Sequence, residues 1–195
     1  MTEVRQRRPG LWIGLFLASA GAIGALKLTD AINASTGFIL FAAATGLLIP
    51  YTRSLTRRPG AAGPAVVRYT KGIAVTTMLY VLGLGVAITL DRRMDLVGAT
   101  AFLIALLPAI PILGMIWVMG RYLVEEQDEY LRHKAMIASL VGLGLVLSVG
   151  SFWGFLETFG LVPHVPGWWA VPIWAIGMGL GQAWMSLRDR SGGEE

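Results

Sequence analysis

Glu126, Glu129 and His133 recur at i, i+3 and i+7, so a single helix through them would present two carboxylates and an imidazole on one face. That donor set suits a divalent metal ion or a proton site. The same stretch, 121–134, has a plainer reading. If one helix ends near Arg121 and the next begins near Glu125, then Arg121 sits at a helix C-terminus and Glu125, Glu126, Asp128 and Glu129 at an N-terminus, both favourable to the macrodipole. Asp128 with Arg132, and Glu129 with Arg132 or His133, are spaced for ion pairs along a helix, with the acid first. This structural reading accounts for nearly every residue of the stretch and is the expected one. Three ligands on an exposed face lack a second helix to complete a coordination shell, so no metal is expected.

Glu157 is harder to treat as architecture, because an acid at a helix C-terminus opposes the dipole. It needs a partner or open water, and Arg92, Arg93 and His164 are the candidates; a structural salt bridge is expected over a proton relay. Pro108 and Pro111 each remove an amide donor inside a long apolar run and mark a helix kink or break, as in the discontinuous helices of transporter sites. Gln182 is the main other polar group inside an apolar run. The two histidines fall on opposite sides of the expected membrane, and no GxSxG, phosphate loop or paired carboxylate in an apolar pocket is present. No catalytic residue and no cofactor follow from the sequence, and an enzyme is not expected.

The elements that must hold these groups are apolar. The chain has 195 residues, 55% of them hydrophobic and 14% charged, with a mean hydropathy of +0.64. Such a composition belongs in lipid rather than in a soluble domain. There is no cysteine, which removes disulfides, thiolate metal sites and cysteine nucleophiles. Apolar runs at about 11–27, 35–51, 72–90, 97–120, 135–156 and 168–187 predict an all-α, polytopic transmembrane bundle of six spans in a single membrane domain. The first run follows Arg5, Arg7 and Arg8 and passes a signal-peptide-like Ala18-Ser19-Ala20; because apolarity continues to Leu26, an uncleaved span is expected.

Small residues four apart mark helix-packing faces: Gly14/Ala18/Ala22, Ala42/Gly46, Gly150/Gly154 and Gly177/Gly181. Trp168-Trp169 fit an interfacial aromatic belt, and Pro172 fits the first turn of the last helix. Asn33-Ala34-Ser35 matches a glycosylation acceptor but lies at a membrane edge. With the N-terminus inside, thirteen of the sixteen basic residues fall in inner segments, and only Lys27, Arg92 and Arg93 fall outside. That asymmetry predicts cytoplasmic termini and explains the pI near 9.8 without nucleic acid as a partner.

Arg121-Tyr122-Leu123, Glu125-Glu126, Asp128-Glu129-Tyr130 and Arg132, continuing to Trp153-Gly154-Phe155-Leu156-Glu157, resemble a family of small bacterial inner-membrane proteins of uncharacterised activity. In that family an Asp-Glu pair and an arginine precede a span ending in a Gly-Phe-Leu-Glu-like sequence. The resemblance covers roughly 108–187 and implies a bacterial cytoplasmic membrane. It places the family pattern on Asp128, Glu129, Arg132 and Glu157 and implies no activity. Together these readings lead to the expectation of a packing or partner-interacting membrane subunit, in contact with lipid and with itself or another membrane protein. The alternative is a permease for a small neutral or weakly polar solute, motivated by Pro108 and Pro111. No acid, lysine or arginine falls deep in any run, which argues against an ion-coupled pump.

Overall fold

A computed structural model of the chain describes residues 15, 18, 19, 22, 23, 26, 31–47, 49, 50 and 63–191. Among these, all regular structure is helical: α1 (Ala34–Thr45), α2 (Pro64–Arg93), α3 (Gly98–Glu125), α4 (Glu129–Thr158), a 3-10 turn (Gly167–Trp169) and α5 (Ala170–Ser191). The run expected at 11–27, its small-residue face and its cleavage site lie almost entirely outside the described residues, as do residues 51–62.

Three helices, α2, α3 and α4, are long and apolar enough to cross a membrane. Each has 28 to 30 residues, against the roughly 20 that a hydrocarbon core requires. All three outrun the apolar stretches that announced them, because polar residues at both ends still pay no penalty inside a helix that reaches water. Thus Arg68 and Lys71, expected in a loop, lie on α2, and Asp91, Arg92 and Arg93, expected in a turn, form its last turn. α1 is shorter than expected at 12 residues, about 18 Å. The chain turns after it, with Gly46 and Leu47 donating to Ala43 and Ala44. Asn33, the glycosylation match, is its N-cap: Oδ1 accepts from the Thr36 amide at 2.7 Å. α5 has 22 residues, but its Trp, Gly and Gln182 content leaves it outside the three described helices that are long and apolar enough to cross a membrane.

The chain divides into two compact units, Met1–Val124 and Glu125–Glu195. In the first, α2 and α3 form an antiparallel pair. Gly72 meets Val118, Thr76 meets Gly114, Gly83 meets the backbone at Leu107 and Pro108, and the rings of Tyr69 and Tyr122 lie 4.6 Å apart. In the second unit, α4 and α5 form another. Here Gly177 and Gly181 work as their four-residue spacing anticipates, against Ala138, Val141 and Gly142 of α4. A methyl group on Gly177 would stand 2.7 Å from the Gly142 Cα, so the backbones touch without side chains between them. Gly150 and Gly154, the other expected packing pair on α4, have no described atom within 4 Å of a would-be Cβ. Large apolar side chains on these helices, including Leu103, Ile110, Ile116 and Leu140, point outward.

Candidate functional site

The charged stretch folds differently from either arrangement expected of it. α3 continues to Glu125, and α4 starts only at Glu129, so Glu126 belongs to the connection and not to the helix that carries Glu129 and His133. The i, i+3, i+7 face therefore does not form. The cause is Asp128: its carboxylate accepts from the Tyr130 and Leu131 amides at 2.9 and 3.1 Å, which makes it the N-cap and fixes the helix start one residue later. Glu129 follows in the first turn, with Arg132 at 4.0 Å, a solvent-exposed contact of small energy. Glu129, Tyr130, Arg132, His133 and Met136 line an open depression of about 410 Å³. Among the described residues no three His, Asp or Glu side chains gather in metal-binding geometry. Glu126 itself is buried. One carboxylate oxygen accepts from the Asp128 amide at 3.2 Å, and the other has no hydrogen-bond partner among the described residues.

At the same end of this hairpin lies a cluster that sequence reasoning missed. Asp189, near the end of α5, accepts hydrogen bonds from the Tyr130 hydroxyl and from Lys134 Nζ, the latter at 2.9 Å. Lys134 also lies 5.5 Å from the Tyr130 ring centre. The Tyr130 hydrogen bond first, and then the Lys134 ammonium, hold the Asp189 carboxyl below the usual aspartate range. The available signal was a lone acid between Arg188 and Arg190, at the height where an antiparallel α5 must meet the start of α4.

The far end carries the second acid. α4 closes with Phe159 as C-cap and Gly160 at φ +70°; the Gly160 amide donates to the Glu157 carbonyl and the Leu161 amide to that of Leu156, both at 2.9 Å. This double bond pattern is a Schellman motif, and a left-handed residue there favours glycine. The turn brings the loop back over Glu157. Of the three candidate partners, His164 is the one found, with Nδ1 2.5 Å from Glu157 Oε1. Oε2 accepts from the Val165 amide at 3.5 Å, and Trp153 Nε1 donates to the Pro163 carbonyl at 3.2 Å. The stacked Trp168 and Trp169 rings, 5.1 Å apart, follow directly.

Pro108 and Pro111 lie inside an uninterrupted α3. Proline at 111 leaves the Leu107 carbonyl without its helical donor. Gly83 of α2 covers that carbonyl so closely that a methyl group there would stand 2.6 Å from the oxygen. The freed acceptor thus faces a neighbouring backbone, where Cα–H contacts supply weak donation. Gln182 is exposed on α5. Comparison with protein-family models, with curated proteins and with solved structures returns no match to this chain.

Proposed function

We propose that this chain is a multi-pass subunit of the bacterial cytoplasmic membrane whose role is to pack against another transmembrane helix, from a second copy or a different membrane protein. The observation that carries the reading is the unused face of α4. Two GxxxG pairs exist in the second unit; Gly177/Gly181 are spent on the α4–α5 contact, while Gly150/Gly154 meet nothing among the described residues. In hydrocarbon, close backbone approach is a principal source of helix association. The six-span topology with cytoplasmic termini belongs to this proposal. α5 at 22 residues, about 33 Å, is long enough to span, and in each hairpin taken alone one end holds the net basic residues. The bacterial setting rests on the resemblance carried by residues 121–132 and 153–157.

A permease is the weaker reading. Its motive was a break at Pro108 and Pro111, yet α3 is continuous there and the Leu107 carbonyl is covered by Gly83.

The absence of cysteine makes the test clean. Gly150→Cys and Gly154→Cys, introduced one at a time, should give disulfide or short-crosslinker adducts in native membranes, and Gly150→Leu should abolish association. Adducts no more frequent than those from a cysteine at lipid-facing Leu103 would sink the partner reading. Uptake by vesicles that is lost on replacing both prolines by alanine would install the permease instead.

A further inference from the structure

Glu157 and His164 are the only ionisable residues between Lys134 and Arg188, a stretch that includes most of α4, the whole connecting loop and most of α5. They are also in contact, and the contact organises the loop. Glu157 offers one oxygen to the His164 ring at 2.5 Å and the other to the Val165 amide at 3.5 Å, so a single carboxylate anchors two consecutive loop residues. The neighbouring Trp153–Pro163 hydrogen bond ties the residue just before them to α4. The His164 side chain is 75% exposed, so bulk protons reach it freely.

We propose that this pair is a pH-sensitive latch for the α4–α5 loop. With neutral His164 the ring N–H donates to the Glu157 carboxylate; with a proton added the same contact becomes an ion pair, and the Coulombic attraction of the imidazolium is added to the hydrogen bond. Histidine is the side chain whose ordinary titration lies between pH 5 and 8. Within this unit, no other titratable group lies on α4 beyond Lys134, on the loop or on the start of α5 to compete with it: Ala135 to Leu156 contain none, Thr158 to Gly167 contain only His164, and Trp168 to Gln182 contain none. Acidification therefore tightens residues 163–165 against the end of α4 and fixes the loop leading into the Trp168–Trp169 pair. Alkalisation loosens them while leaving both helices intact.

The Val165 amide supplies the readout. Hydrogen exchange of the full chain in nanodiscs, corrected for intrinsic rates, should show Val165 better protected at pH 5 than at pH 8. The expected ratio is about 1.4- to fivefold, the range that an exposed ion pair adds. His164→Gln should flatten this dependence, and His164→Lys, cationic throughout, should flatten it at the protected level. Wild-type protection that does not change between pH 5 and 8 overturns the latch by itself, whatever the variants do. So does a pH dependence that survives in His164→Gln. Amides of the α4 centre, near Gly142, should show no change in either protein.

Discussion

Asp128 shows how a single short side chain decides what the charged stretch can do. By capping the Tyr130 and Leu131 amides it removes Glu126 from the helix, and with it the three-ligand face. Asp128→Ala should lower stability by about 0.5–2 kcal/mol, the usual cost of a lost cap, while Asp128→Asn should cost only a few tenths. Equilibrium unfolding in mixed micelles would read both, and equal losses would mean that charge rather than capping matters there. Asp189 acts through ionisation. Its folded carboxyl titrates below an unfolded aspartate, which lies near 3.9, so its contribution is present above about pH 4 and is lost as pH falls through the lower folded value. Melting temperature against pH should therefore drop on the acid side below about pH 4, and Asp189→Asn should lose that part of the drop. A variant that follows the wild-type acid limb would show that the cluster with Tyr130 and Lys134 is not coupled to folding.

Among the elements, glycine positions separate contacts that matter from those that do not. Gly83→Ala and Gly177→Ala each place a methyl group under 3 Å from a neighbouring backbone and should destabilise their hairpins by about 1–3 kcal/mol. Gly150→Ala meets no described atom of its own unit and should change the stability of the α4–α5 hairpin by no more than about 0.5 kcal/mol. Similar losses at all three sites would reject the packing described for α4 and α5. The long helices were legible because their apolar runs are about as long as a hydrocarbon core is thick, and so was the Gly177/Gly181 contact, which needs only a four-residue spacing. Helix ends were not legible in the same way. They are set by local backbone partners such as the Asp128 cap and the Gly160 turn, whereas hydropathy falls off at Arg121 and after Leu156, four and two residues before the helices end at Glu125 and Thr158. Glu157 could be marked as a residue in need of a partner, because its clash with the helix dipole is local. Asp189 could not, because its partners lie 55 and 59 residues away and depend on the register of α5 against α4.

For the whole molecule the open quantity is which ends share a side of the membrane. Reporter fusions after Leu55 and Gly120 should report the cytoplasm, and fusions after Asn33, Asp95 and Val165 the outside; an outside signal at Gly120 would overturn the six-span arrangement. The covered Leu107 carbonyl bears on how the chain enters lipid at all. An acceptor left bare in hydrocarbon costs several kcal/mol, so α3 on its own carries a polar defect near its centre until α2 lies beside it. α3 therefore escapes that cost only in the company of α2, as the α2–α3 hairpin. Pro111 is thus expected to make membrane integration cooperative between two helices that hydropathy alone would insert one at a time.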